Sequence, residues 1–413
     1  MQDKHYECCI LGAGPAGIGT ALELINNGIT DILLIDKNKI VGGLSRTETY
    51  GDYKFDIGPH RFFSKNDEIN KLWHKTLDKD FIPVKRFTRI YYKQNYFHYP
   101  IKPFDTLLKL GLVESTQAIL SFANAKINPE NDVSTFENWI KQKFGNKLYT
   151  TFFKHYTEKV WGIPCNQIGA EFAEQRIKGL DIIEIIKNTY KKNKIKTLID
   201  EFHYPILGAG QMYEVMAEKI TNSGGSFSLE SKITRLEIIE DKIISVILET
   251  SNGQLEQIYA KQFFSSIPMT HLFKLIHPME QQNILHAADS LYYREHITVN
   301  LVVDNADIFP DQWLYIHDPK VKMARIANYN NFSSTMCKNN ETSISVEYFT
   351  FKNEILWKME DQELINHAID ELNFIGLVNK HCIKNGWVVR ETESYPTYYL
   401  GYKEPFNILK NRL

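Results

Sequence analysis

Several kinds of protein are excluded by what this chain has little of. Its five cysteines among 413 residues are Cys8, Cys9, Cys165, Cys337 and Cys382. They are odd in number and scattered, which argues against a disulfide framework, and no pair has metal-ligand spacing. A reducing, cytoplasmic setting is therefore expected. No stretch approaches the roughly 20 apolar residues that span a bilayer, and the polar start Met1 to Glu7 lacks the basic-then-apolar pattern of a secretory signal. A formal net charge of -2 gives no electrostatic reason to expect nucleic acid as a partner. The one basic run, at Lys191, Lys192, Lys194 and Lys196, reads as a solvated loop or helix end, with a membrane or polyanion contact as the other reading. There is no internal repeat and no low-complexity segment. No Ser-His-Asp set, pair of glycosidase carboxylates or metal cluster stands out.

What remains is an ordinary globular balance, 43% hydrophobic and 24% charged, long enough for two domains. Residues 6–11 form a short apolar strand, 15–27 a helix and 31–36 a second strand, the opening of a parallel sheet. Residues 104–190 read as mostly helical, with Ser134 and Glu137 spaced as a capping box before Trp139 and Phe144. From about 226 the period changes. Residues 227–239 and 243–250 alternate around Glu240-Asp241-Lys242 and suggest a small antiparallel sheet. Residues 296–303 and 343–349 are further strands, and 361–376 a helix. The expected fold class is α/β with discontinuous domains: 1–75 with 200–270 as the nucleotide unit, 76–199 as a largely helical insertion, and 271–413 as a substrate-side mixed sheet that can return to the first unit.

The motif that carries chemistry is GAGPAG, with Gly12, Gly14, Pro15, Ala16 and Gly17, set between a strand and a helix. Gly12 permits the tight turn, Gly14 lets the backbone approach a pyrophosphate, and Gly17 lets helix and strand pack closely. The anion would lie on the helix's free N–H groups. Asp36, ending the next strand, is placed to accept from a ribose, with Lys37 beside it. A Gly-rich turn of purely structural use is the alternative.

Downstream, VGGLSRT adds a second glycine pair, Gly42 and Gly43, then Leu44 and the cation Arg46. GxGxxG, an acidic residue and GG-L-x-R together resemble the flavoprotein superfamily of amine oxidases, protoporphyrinogen oxidase, phytoene desaturases and UDP-galactopyranose mutases. The resemblance implies a glutathione-reductase-like domain and favours FAD over a nicotinamide. FDIGPHRFF, residues 55–63, resembles the segment near the flavin ring in the mutase branch and carries over His60; from the residues alone, Gly58-Pro59 is a rigid turn and His60 a helix cap or a functional group.

KVWGIP (159–164) and AEQRIKGL (173–180) also resemble the mutase-like branch. They bring Trp161, a core anchor or a stacking wall, and Arg176, an active-site group or a surface one. HYPILGAGQMYE (203–214) is similar to a returning FAD segment, with Gly208 and Gly210 as phosphate neighbours before a helix. ARIANYNNFS (324–333) and VRETESYPTYYLGY (389–402) resemble substrate-side segments, placing Arg325, Arg390, Tyr395 and Tyr398 in the cleft. Arginine forks and tyrosine hydroxyls suit a diphosphate, although Tyr395-Pro396 is equally a stiff bend. The superfamily's closing GR-x-G segment has no counterpart before Leu413.

Three functions follow. The first is a redox-neutral, mutase-like rearrangement of a UDP-sugar or related nucleotide-sugar, with reduced flavin as nucleophile and arginines and tyrosines holding the diphosphate. The second is an FAD oxidase or dehydrogenase taking hydride from an amine or apolar molecule. The third is a non-catalytic relative that kept the fold. An arginine-lined cleft favours the first, and an aromatic cage with few arginines the second.

Overall fold

The computed structural model describes residues 3–99, 101, 103–177 and 201–413. The basic run at 191–196 and the end of the expected helical stretch, 178–190, lie outside the described residues.

Two seven-stranded sheets organise the chain. In the first, the opening strand Asp3–Leu11 lies between Leu255–Ser265 and Ile32–Ile35, parallel to both. Ser226–Ser228 extends the parallel part at one edge, and Lys242–Glu249 and Lys232–Ile239 continue it antiparallel at the other. Cys8 to Leu11 are at most 1% exposed. A strand covered on both faces needs an unbroken apolar run, which is why the two adjacent cysteines stand there. Helix Pro15–Asn26 packs Ile18, Ala21 and Leu22 against Met212, Met216 and Ile220 of helix Gln211–Asn222.

Two local expectations change. Residues 227–239 are two strands, because Glu230 takes φ 51° and the chain turns there. The N–H groups of Glu230 and Ser231 donate to Asn38 O and Asp36 O, wrapping the turn round the end of the Asp36 strand. The helix Phe136–Phe144 is capped by Thr135, whose side chain accepts from Asn138 N, and not by Ser134. Glu137 serves Lys141 and Tyr149 instead of closing a capping box.

The second sheet runs Ile383–Pro396, Tyr293–Val303, Thr342–Thr350, Arg325–Asn328, Trp313–Ile316, Thr88–Tyr92, Asn95–His98. Its last two strands come from the segment expected to be largely helical. Strand alternation gives this sheet two unlike faces. Ile297, Val299, Leu301, Ile344, Val346 and Tyr348 pack on Leu364, Ala368 and Leu372 of helix Asp361–Phe374. The opposite face carries His296, Thr298, Asn300, Ser345 and Glu347, all at most 2% exposed. Buried polar side chains must find partners, and Ser345 Oγ donates to Asn300 Oδ1 at 2.6 Å. The segment Tyr53–Asp56 covers this face, tied down by Tyr329 Oη donating to Asp56 O at 2.8 Å.

Candidate functional site

Glycine sets the geometry of the nucleotide turn. Gly12 has φ 104°, and a Cβ on Gly17 would stand 1.9 Å from Gly12 O. Only a residue without a side chain lets the helix start so close to the strand. Pro15 opens the helix, no side chain caps it, and no acidic residue stands in its first turn. Its positive end therefore faces outward without an internal counter-charge. The second glycine pair closes on the first: Gly42 N donates to Ala13 O at 2.8 Å, and a Cβ on Gly43 would lie 3.1 Å from Gly14 Cα. Two side-chain-free turns thus form one backbone floor, with Pro15 and Ala16 exposed at its edge.

Asp36 shapes this floor. Its Oδ2 accepts from Ala13 N at 2.7 Å and its Oδ1 from Asn38 N at 2.8 Å. Each oxygen keeps a second acceptor site, which a ribose hydroxyl can use. Lys37 is exposed beside it and, with Asn38, Arg46, Glu48 and Glu230, lines a cavity of about 470 Å³.

Arg46, expected as a cation near the cofactor, has its charge engaged within the chain. It is 5% exposed and ion-paired to Glu48 and Glu391, and its Nη1 donates to Gly43 O at 3.0 Å. Burial works against its charge, but the Glu391 and Glu48 carboxylates outweigh that and raise its pKa. With its charge balanced, Arg46 holds the second glycine turn in shape from behind.

Gly208 and Gly210 also have another use. A Cβ on either would collide with Thr47, at 2.4 Å from Oγ1 and N respectively. The N–H groups of Ala209 and Gly210 are taken by Asp56 Oδ1 at 3.0 Å and Thr47 Oγ1 at 2.8 Å. At this helix start the buried Asp56 carboxylate occupies the place expected for a phosphate. Asp56 also accepts from Thr47 at 2.6 Å and Tyr204 at 2.5 Å, while burial pushes its carboxyl pKa up.

His60 ties the second glycine turn to the segment that follows Tyr53–Asp56. Its Nε2 lies 3.0 Å from Leu44 O and 3.2 Å from Ile57 O. Both partners are carbonyls, so Nε2 carries the proton and donates to them. Leu44 directly follows the Gly42-Gly43 floor, and His60 borders a cavity of about 200 Å³ with Ser45, Arg61, Trp73 and Tyr213. On the other side of this turn, a Cβ on Gly58 would lie 3.0 Å from Glu347 Oε2 and 3.6 Å from Arg325 Nη2. Contact is therefore continuous from Gly14 through Gly43, Leu44, His60 and Gly58 to the polar face of the second sheet.

There the fully buried Glu347 accepts from Arg325 Nη2 at 2.5 Å and meets His296 Nε2 at 2.9 Å. The same Arg325 nitrogen donates to Tyr395 Oη at 3.1 Å. Burial opposes the Glu347 charge, but Arg325 and His296 outweigh it and hold the carboxyl below its usual range. The same attraction overcomes burial at Arg325 and raises its pKa. Tyr395 lies against Phe349, with ring centroids 5.0 Å apart, and against Trp161 at 6.0 Å; Trp161 also meets Tyr398 at 5.6 Å and Phe172 at 4.8 Å. Trp161 is 5% exposed and anchors this aromatic cluster from below. Lys159 fixes the helix His155–Trp161, which carries Trp161, by donating to the carbonyls of Ile316, Asp318 and Met323 at 2.6–3.1 Å, and burial pulls its pKa down to about 8.

Of the substrate-side residues read from the sequence, Arg325, Tyr395, Tyr398 and Trp161 come together. Arg390 does not. It pairs with Asp361 and donates to Met359 O at 2.6 Å, beside helix Asp361–Phe374. The neighbouring Glu391 points the other way, to Arg46, as alternation along a strand requires. Arg176 belongs to helix Ala170–Ile177, and its side chain lies outside the described residues. Sequence reasoning missed Glu347, His296 and Asp56. A lone acid in SISVEYF and a histidine opening HITVNLVV were the available signals, because an ionisable group in a strand buried on both faces needs a partner. Among the described residues there is no cluster able to hold a metal ion and no helix long and apolar enough to cross a membrane.

The family model that matches is described as an NAD(P)-binding Rossmann-like domain and covers residues 10–76, which include both glycine turns. Over 99% of this chain and 86% of the other, the fold matches a crystal structure of reduced UDP-galactopyranose mutase with a TM-score of 0.83 at 19% sequence identity. The chain shares the fold of that mutase structure. In sequence, it is 26% identical over 229 residues to a probable UDP-galactopyranose mutase of Klebsiella pneumoniae, 53% of this chain and 54% of that protein. It is 28% identical over 166 residues to dTDP-fucopyranose mutase of Escherichia coli, 39% of this chain and 43% of that one. The chain spans about half the length of the curated relatives it matches.

Proposed function

We propose that this flavoprotein-fold chain binds FAD across the paired glycine turns and is an enzyme acting on a nucleotide-sugar, in the manner of UDP-galactopyranose mutase. The observation that carries the reading is the unbroken contact from the dinucleotide floor to Arg325 and Tyr395. It brings a cofactor site and a polar, aromatic-walled site within one molecule's reach. The fit to FAD rests on the side-chain-free floor and the uncapped helix start. When bound in its reduced form, FAD supplies the nucleophile for a redox-neutral ring rearrangement.

The chain's own groups do the rest. Gly14, Ala16 and Gly17 offer backbone N–H groups to the pyrophosphate, Pro15 starts the helix whose dipole faces it, and Asp36 takes a ribose hydroxyl. His60 donates to two carbonyls, which fixes the Gly58-Pro59 turn beside the flavin-facing floor. Arg325, aimed by Glu347, and the Tyr395 hydroxyl present donors to a departing diphosphate. Trp161, Tyr398 and Phe349 keep water from that side of the site. The name of each mutase relative supports this substrate class.

A second reading, an FAD oxidase or dehydrogenase, is favoured by one observation: the wall round Tyr395 is aromatic and Arg325 is already balanced by Glu347. The two separate in one experiment. The chain is purified, reconstituted with FAD and examined by absorbance, then reduced with dithionite and incubated with UDP-galactopyranose. Flavin retention with furanose formation, followed by chromatography, is the expected outcome. Retention without a sugar response, with reduction by an amine or apolar donor, turns the assignment to the second reading. Retention with no reaction of either kind leaves a binding protein, and absence of flavin binding overturns both enzymes.

A further inference from the structure

The strand Ile383–Pro396 reaches the site through an irregularity. On its partner Tyr293–Val303, Arg294 and His296 are two positions apart, yet they face Tyr395 and Glu391, which are four apart. Thr392, Glu393 and Ser394 therefore form a bulge with two residues more than the partner strand has there. Because two is even, Glu391 and Tyr395 still face the same side. Run straight, the register of His296 and Glu391 would set Glu393 against Arg294. It would also carry Tyr395 on to the level of Tyr292, about 7 Å further along. The 3.1 Å hydrogen bond from Arg325 Nη2 to the Tyr395 hydroxyl depends on the bulge.

Glu393 is where the chain folds back. Its φ is 57°, a left-handed conformation that glycine takes freely and glutamate takes under strain. Such strain persists where neighbours over-determine it. Glu393 N donates to Oε2 of Glu295, itself 5% exposed, at 2.7 Å. The Glu393 carboxylate lies 3.6 Å from Nδ1 of His271, on helix Met269–Leu275, which packs Leu272 on the first sheet. Ser394 Oγ closes the bulge by donating to Glu391 O at 3.2 Å. Lys37, next to Asp36, donates to Thr392 Oγ1 at 3.4 Å, and Glu391 is paired with Arg46. Three successive side chains, at 391–393, thus answer to residues around the first sheet and its glycine floor, and Tyr395 answers to the substrate-side arginine.

We propose that Glu393 is a positioning residue for Tyr395: its left-handed turn, clamped by Glu295 and His271, selects the strand register that sets the tyrosine hydroxyl on Arg325. A slip by two residues would leave every side chain on its own face, so alternation does not choose between the registers. The clamp does. The consequence for binding rests on the reading of Arg325 and Tyr395 as donors to a diphosphate; the placement itself does not.

The test compares Glu393→Val, whose branched side chain resists a left-handed φ, with Glu393→Gly, which adopts it without a clamp. Both are made in the full chain, reconstituted with FAD. Two quantities are read: the ring signals of Tyr395 by NMR of tyrosine-labelled protein, assigned with Tyr395→Phe, and the dissociation constant of UDP by titration calorimetry. In the valine variant the Tyr395 signals should lose the shift imposed by the flanking rings of Phe349 and Trp161. UDP should bind at least about tenfold more weakly, as for a lost hydrogen bond to a charged group. Glycine should restore both. Where valine prevents folding, judged by circular dichroism, Glu393→Ala is read in its place. Tyr395 signals unchanged in the valine variant overturn the proposal, as does a glycine variant that fails as valine does. If the parent itself does not bind UDP, the diphosphate reading falls, and the ring signals still decide the placement.

Discussion

Glu347→Gln tests most directly how the two halves of the site are held. Glu347 has no exposed surface, accepts from Arg325 at 2.5 Å and meets His296 at 2.9 Å. The substitution keeps side-chain volume, so the close approach of Gly58 is undisturbed and the loss is electrostatic. Breaking a buried ion pair by removing one partner costs roughly 3–5 kcal/mol. Because the Arg325 side chain keeps 16% of its surface, water recovers part of that, and about 3 kcal/mol is expected. The assay is urea denaturation followed by tryptophan fluorescence, to which Trp161, packed on Tyr395, contributes. Replacing both partners, Glu347→Met with Arg325→Met, should cost less than the sum of the single changes by about 2 kcal/mol, because no charge is left stranded. The pH dependence has a definite sign. The native carboxyl is held below its usual range, so on acidification the unfolded chain takes up the proton first. The pair's contribution is whole above the unfolded value near ~4.3 and is lost as pH falls below it, a slope the glutamine variant should lack. A variant within about 0.5 kcal/mol of the parent, or strict additivity in the double substitution, would refute the reasoning.

Gly17→Ala sets a Cβ 1.9 Å from Gly12 O and should abolish flavin retention, measured by absorbance after gel filtration. Gly19→Ala, with nothing within 4 Å, should retain flavin and gain roughly 0.5–1 kcal/mol in stability from helix propensity. Lys159 has a native pKa lowered to about 8 from 10.5 by burial, so between those values the unfolded chain holds more protons. Stability should therefore rise over that range by on the order of 2–3 kcal/mol. Lys159→Met should flatten the rise, and a parent whose denaturation midpoint is constant from pH 8 to 10.5 would remove lysine burial as the cause.

The sequence by itself determined the dinucleotide half of the molecule. GAGPAG, the strand before it, Asp36 and Gly42-Gly43 are contiguous or nearly so, and their roles follow from backbone needs that glycine alone meets. That is why Gly12, Gly14 and Gly17 were legible without neighbours. The tertiary structure decided the rest, because charge in a folded chain depends on what arrives from elsewhere. Arg46 reads simply as a cation, and only the fold brings it Glu391, 345 residues later, as a second carboxylate partner beside Glu48. Gly208 and Gly210 look like a phosphate turn until Asp56 fills the place of the anion. Arg390 and Glu391 are neighbours in sequence, yet strand alternation sends one to a surface helix and the other to the glycine floor. Glu347, His296 and Arg325 come from three strands of one sheet, and no spacing within any one strand announces that they meet. Local motifs carry backbone geometry, and only packing assigns partners to side chains.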